Sequence, residues 1–150
     1  MRAARANAEL VAAFPIEGPD ENVRLPDYTE DIGSEHVFVF QVWHTWMDPL
    51  AHANHPVYVD WAEEALARLL HADGTNPALV QPVAEYAKWR VGAMAPDTVT
   101  VTTQRLGRTE DGAVVCRHTI HAEQSGPAAT VTTVRRLVDG DSDRLARAVQ

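Results

Sequence analysis

The chain has a single cysteine, Cys116, among its 150 residues. No disulfide can close within it, and a reducing cytoplasm is the expected compartment. No apolar run approaches the ~18 residues that a membrane-spanning helix needs. The first stretch, Met1 to Pro15, carries Asn7, Glu9 and many alanines in place of the sustained apolar segment of a signal peptide, so a soluble, unexported protein is expected. Bases are also scarce: 13 Lys and Arg face 21 Asp and Glu, a formal charge of −8, with a pI near 5.2. Such a chain lacks the broad positive field that nucleic acid or an anionic membrane surface requires, so neither is expected as a partner. No internal repeat is present. What is there is the composition of a single globular domain, 45% hydrophobic and 23% charged, long enough to bury one core.

Residues 1–35 form an N-terminal extension: an alanine-rich stretch, Arg2 to Phe14, with helical character, then a Pro/Gly/acid-rich loop from Pro15 to Glu35 that is a candidate lid. From His36 to Trp46 the β-branched and aromatic residues predict a strand buried on both faces. Two prolines and an asparagine then force a turn over Met47 to Pro56. From Val57 to His71, steps of 100° place Tyr58, Trp61, Ala62, Ala65, Leu66, Leu69 and Leu70 on one arc and Asp60, Glu63, Glu64 and Arg68 on the other. This is an amphipathic helix, with Pro56 in its first turn, Asn54 or His55 as cap, and Gly74 at its end. Four strands follow, Val83 to Val91, Thr98 to Leu106, Ala113 to Gln124 and Ala128 to Val138, joined by short turns that predict sequential antiparallel pairing. Residues 36–138 thus read as an α+β domain, a five-stranded antiparallel sheet curled around one long helix. A polar tail, residues 139–150, holds a short helix from Ser142. Sheet edges and an outward face rich in Val, Trp and Thr predict at least a homodimer.

The turn before the helix gathers Asp48, His52, Asn54, His55 and Tyr58 just upstream of backbone N–H groups that favour negative charge. A carboxylate beside such donors is the pairing that acyl transfer needs: a base or nucleophile on one side and N–H groups aimed at developing charge on the other. The same residue types also serve plain structure, Asp48 as a turn residue before proline and Asn54 as a cap.

The segment Asp48-Pro-Leu-Ala-His52-Ala-Asn54-His-Pro-Val-Tyr58-Val-Asp-Trp61-Ala-Glu63-Glu64-Ala65 resembles the Asp-x-x-Gly-His-x-Asn-x-x-x-Tyr signature, continuing into Trp-x-Glu-Glu-Ala, of hotdog-fold acyl-thioesterases of the 4-hydroxybenzoyl-CoA thioesterase type. Glu85-Tyr86 through Thr98-Val99-Thr100-Val101 is similar to that family's second and third strands. The resemblance spans about residues 36 to 138. It implies hydrolysis of an acyl-CoA or acyl-carrier-protein thioester at a site between two subunits of a homodimer or homotetramer, with no cofactor beyond the CoA of the substrate. Carried over residue by residue, it makes Asp48 the general base or nucleophile, gives His52 and Asn54 the shaping of the site and the holding of water, and has helix-start N–H groups polarise the carbonyl. His55 and Tyr58 would bind substrate, Tyr58 lining the acyl pocket. Glu64 matches an acidic helix position used by some branches of the fold, although an ion pair with Arg68, four residues on, is the preferred reading. Trp46, Ala51 and His55 depart from the pattern, standing where relatives carry Asp, Gly and a second Asn.

Other clusters rank lower. His52, His55, Asp48 and His44 lack the fixed ligand set of a zinc site, so no metal is expected. Cys116 and His118 share a strand face, where a lone cysteine is usually a small buried hydrophobe. Lys88, Arg90, Arg105, Arg108, Arg117, Arg135 and Arg136 include potential partners for CoA phosphates, with none assigned. Two alternatives stand beside hydrolysis: an enoyl-thioester hydratase or dehydratase of the same fold, whose Asp-to-His spacing this chain does not match, and a non-catalytic acyl-thioester binding module.

Overall fold

The apolar arc read from the sequence is the buried face of one long helix, α1 (His55–Ala72). In the computed structural model, which describes residues 24–150, Tyr58, Trp61, Ala62, Ala65, Leu66 and Leu70 of α1 are buried, while Asp60, Glu64 and Arg68 face solvent. Pro56 sits in the first turn, where its missing N–H costs nothing. Gly74, at a φ of +82°, takes the left-handed position just past the end, a conformation that glycine adopts without steric penalty. Asn54 stands at the N-cap position without capping: its side chain accepts no hydrogen bond from the first turn. The expected helix over Arg2 to Phe14 lies outside the described residues.

Around α1 the chain forms β1 (Tyr28–Glu30), β2 (Glu35–Gln41), β3 (Val80–Trp89), β4 (Thr98–Thr109), β5 (Val114–Ala122) and β6 (Gly126–Leu137), closing with α2 (Ser142–Ala148). All pairings are antiparallel. β4, β5 and β6 form the expected meander, and both β1 and β2 lie along the free side of β4. The sheet therefore has six strands, not five; the short β1 lies in the stretch read from the sequence as loop, where it pairs with Gly107 to Thr109.

Two expectations about strands are corrected. β2 stops at Gln41, because Val42 turns its N–H to the Asp97 carbonyl at 2.9 Å and a 3-10 turn over His44–Trp46 follows. As an edge strand it is half-buried on one face, through Phe38 and Phe40, and exposed on the other, through Val37 and Val39. β3 does not pair with β4, its neighbour in sequence. It crosses to the far edge and pairs with β6, Ala84 opposite Val134 and Trp89 opposite Ala129, which lets the sheet wrap the helix from both sides.

The core lies between α1 and the sheet's inner face. One part packs Tyr58, Trp61, Ala62 and Ala65 against Val99, Val101, Ile120 and Val131. A second joins Leu66 and Leu70 to Val114, Cys116 and Leu137, sealed by Leu145, Ala146 and Val149 of the tail. Burial of this kind stabilises by about 25 cal/mol per Å² of apolar surface, so an otherwise polar tail is held by a few leucine-sized side chains. Two polar side chains inside the core are held by partners on neighbouring elements. His118 bridges Thr103 at 2.9 Å and Thr133 at 3.0 Å, on the strands to either side. The buried Arg135 guanidinium meets Glu63 of α1 and Glu85 of β3.

Candidate active site

The turn between β2 and α1 is closed by its own backbone. Met47 bridges Ala53, Asp48 donates its N–H to the His52 carbonyl at 2.8 Å, and Ala51 donates to the Asp48 carbonyl at 3.0 Å. So tight a turn needs one residue in the left-handed region, and Ala51 is that residue, at a φ of +61°. This gives a physical reason for the glycine that the signature carries at this position.

The same turn fixes a carboxylate. Asp48 Oδ1 accepts hydrogen bonds from the backbone N–H of Leu50 at 2.8 Å and of His52 at 3.2 Å. No hydrogen bond engages Oδ2 among the described residues. Asn54 donates its backbone N–H to the Trp46 carbonyl, and Val57 donates to the Asn54 carbonyl, both at 3.0 Å. With Pro56 lacking an N–H, the His55 N–H at the start of α1 is left without an acceptor among the described residues, on the positive end of the helix dipole.

The segment after β3 completes the site. Ala53 donates to the Ala93 carbonyl, and the Ala93 N–H donates to the Tyr58 hydroxyl, each at 2.8 Å. Burial raises the pKa of the Tyr58 phenol, the charge of Asp48 raises it further, and the Ala93 N–H partly offsets both. Tyr58 therefore stays protonated and acts as a fixed wall. The His55 and Trp89 rings lie tilted against each other, centroids 4.9 Å apart at 39°, and the Trp89 indole donates to the His55 carbonyl at 3.3 Å. Gly92 leaves the space that the His52 ring occupies.

Asp48, His52, His55 and Tyr58 thus line one cavity of about 400 Å³ together with Trp89, Arg90 and Gly92. Asn54 is exposed beside it and takes part through its backbone. Glu64 lies elsewhere: it pairs with Arg68 at 2.7 Å on the solvent side of α1 and borders a separate groove. Trp89, Gly92 and Ala93 were not singled out from the sequence, where residues 92–97 read only as a turn. Their one local signal is a glycine directly after a strand rich in aromatics and bases.

Burial pushes the Cys116 thiol up to about 12 and holds His118 down at about 3. Both ring nitrogens of His118 face threonines, so no thiolate–imidazolium pair forms. Among the described residues no group of three or more His, Cys, Asp or Glu is placed to hold a metal. No helix among them is long and apolar enough to cross a membrane.

A family model described as "Thioesterase-like superfamily" matches residues 42–149. Among solved structures, a variant of 4-hydroxybenzoyl CoA thioesterase complexed with 4-hydroxybenzoyl CoA superposes with a TM-score of 0.65, at 14% identity, over 77% of this chain and 99% of that one. DHNA-CoA thioesterase from Staphylococcus aureus superposes at 0.60 with 17% identity, over 70% of this chain and 76% of that one. A thioesterase from Thermus thermophilus, complexed with coenzyme A and Zn, superposes at 0.60 with 19% identity, over 66% and 80%. No curated protein matches the chain by sequence.

Proposed function

The chain belongs to the thioesterase-like superfamily and has the hotdog fold, and from that premise we propose that the Asp48 cavity hydrolyses acyl thioesters of coenzyme A or of an acyl carrier protein. The observation that carries this reading is the division of labour within one carboxylate. Two backbone N–H groups hold Oδ1 in place, and Oδ2 is left to act, within a cavity that also receives the start of α1. The solved relatives with CoA substrates in their names support the substrate class.

In the proposed reaction Asp48 accepts a proton from a water molecule as that water's oxygen bonds to the thioester carbon. The carbonyl oxygen takes up the electron pair and accepts the His55 N–H, placed at a helix end where negative charge is favoured. Collapse of the tetrahedral intermediate breaks the C–S bond. The proton held on Asp48 passes to the departing sulfur, releasing a free acid and a thiol. Direct attack by Asp48, through an anhydride that water then cleaves, uses the same atoms. His52 and Asn54 orient the turn and the water, and Tyr58, with the His55–Trp89 pair, borders the acyl group.

We place a second copy along β3. Among the described residues this strand has β6 on one side and no neighbour on the other, it exposes Val83, Tyr86 and Trp89, and Trp89 and Arg90 carry the cavity wall to that open edge. Pairing there would close the cavity with a symmetry-related wall. A cytoplasmic location accords with the lone, buried, reduced Cys116. The test is thiol release from a panel of short, long, branched and aromatic acyl-CoAs and acyl carrier proteins, run beside Asp48→Ala. Removing a positioned base is expected to cost about 10²- to 10⁴-fold in turnover with the fold intact. Near wild-type turnover in the variant would overturn the assignment.

A further inference from the structure

Apart from the Asp48 cavity, between α1 and edge strand β2, lies a second cavity of about 350 Å³. Its walls are Phe38, Phe40, Trp43, Trp46 and Trp61, five of the chain's ten aromatic side chains, counting three Phe, three Tyr and four Trp. They form an ordered set. Trp43 and Trp46 stack with an interplanar angle of 8°, Phe38 and Phe40 stack at 28°, and Phe40 and Trp46 both meet Trp61 edge to face. Packing alone does not account for Trp43, whose indole is 64% exposed.

Two observations say what fits. First, Trp61 is only 3% exposed, yet its indole N–H has no hydrogen-bond partner among the described residues and is closed off from solvent. Buried indoles usually find an acceptor. An acceptor that reached this one would displace no water, and the surrounding rings would have to part by the width of one oxygen atom. Second, the rim holds Asp60 and Glu64 against a single base, Arg68, which is already paired to Glu64 and laid over the Phe38 ring, 4.5 Å from its centroid. One carboxylate is left uncompensated, so a negatively charged ligand is repelled.

We infer that this groove is a binding site, separate from the Asp48 cavity, for an uncharged planar aromatic molecule carrying a hydrogen-bond acceptor, an aryl alcohol or aryl ketone as opposed to an aryl carboxylate. The ring enters between Phe38, Trp43 and Trp46, and its oxygen accepts the Trp61 N–H. The two cavities share a wall, since the Tyr58 and Trp61 rings lie 4.8 Å apart. Occupancy is therefore expected to be sensed at the phenol that borders the hydrolytic site.

The experiment titrates the full chain with 2-naphthol, naphthalene and 2-naphthoate, following the indole N–H resonances by NMR and affinity by calorimetry. The expected result is a downfield shift of the Trp61 indole proton with 2-naphthol alone, and 2-naphthol binding about tenfold more tightly than naphthalene, as one buried hydrogen bond would give. Binding of 2-naphthoate is expected to be weaker still. Trp61→Phe should abolish the preference for naphthol over naphthalene. Trp43→Ala, at an exposed position, should weaken both. No binding, an unmoved Trp61 resonance, an unchanged preference in Trp61→Phe, or shifts confined to Trp89 would each overturn the inference. So would protection of Trp43 from acrylamide quenching as the chain self-associates, because a second copy would then cover the groove. None of these readouts involves turnover, so their failure leaves the thioesterase reading standing.

Discussion

The imidazole of His52 lies over Gly92 so closely that a β-carbon built on that glycine would sit 2.5 Å from His52 Cδ2 and 2.7 Å from Cγ. No real side chain tolerates such a contact, so any larger residue at 92 must move the ring, and with it the loop whose N–H groups hold Asp48. Gly92→Ala is expected to lower turnover by about 10- to 100-fold, the scale of effect that sub-ångström to ångström displacements have on positioned catalytic groups, with a much smaller effect on thermal stability. Steady-state kinetics beside a melting curve check this; unchanged turnover would remove His52 from the positioning role.

Ala51 pays for its left-handed backbone with a steric penalty that glycine does not incur. Ala51→Gly is expected to raise stability by about 0.5 to 1 kcal/mol, the relief of a β-carbon at positive φ less the extra chain entropy of glycine. Urea titration should show a higher midpoint with an unchanged slope. A lower midpoint would mean that the Ala51 methyl makes compensating contacts.

Stability should fall as solutions become mildly acidic. Burial, aided by the Arg135 charge, holds His118 at about 3, below its ordinary 6.5. Between those values the unfolded chain binds a proton that the folded chain does not. The contribution of His118 is therefore complete above 6.5 and is lost as pH falls toward 3, at up to about 1.4 kcal/mol per pH unit. The exposed Asp111, Asp139 and Asp143, all held below 3.8 by hydrogen bonds and arginine partners, act in the same direction but below 3.8. The span from 6.5 to about 4 lies above the range of these aspartates and within that of His118. Urea unfolding at several pH values in that span should show the slope, and His118→Gln should flatten it.

Arg135 is 2% exposed, whereas its partners Glu63 and Glu85 are 42% and 38% exposed. Either carboxylate alone compensates the buried guanidinium. Glu63→Gln and Glu85→Gln are expected to cost less than about 1 kcal/mol each, and the double variant about 3 kcal/mol or more, because a buried unpaired charge remains. A double-mutant cycle measures the excess; simple additivity would show that Arg135 is solvated by other means.

The sequence was a sound guide wherever structure is set locally. The arc of α1, its glycine stop, the β4–β5–β6 meander and the gathering of Asp48, His52, His55 and Tyr58 all follow from period, turn residues and proximity along the chain. It failed where distant partners decide. The aromatic run after Gln41 looked like strand because Trp43 and Trp46 suit a pleated surface, yet they stack on each other in a turn. The link between β3 and β4 looked like a hairpin because residues 92–97 hold ordinary turn formers, and nothing in them says that β3 belongs beside β6. Trp89, Gly92 and Ala93 went unremarked for the same reason, since they reach the site only through that crossing. The Glu63–Arg135–Glu85 cluster likewise joins residues that no spacing rule connects.

The crossing of β3 also sets an order of assembly. Among the described residues β3 is held in the sheet by β6 alone, with Ala84 opposite Val134 fifty residues later, so β6 must be in place before β3 has an edge to join. Trp89, at the end of β3, therefore arrives after β6. Its fluorescence should change no earlier than the β5–β6 pairing forms, and substrate binding should be regained no earlier than that signal.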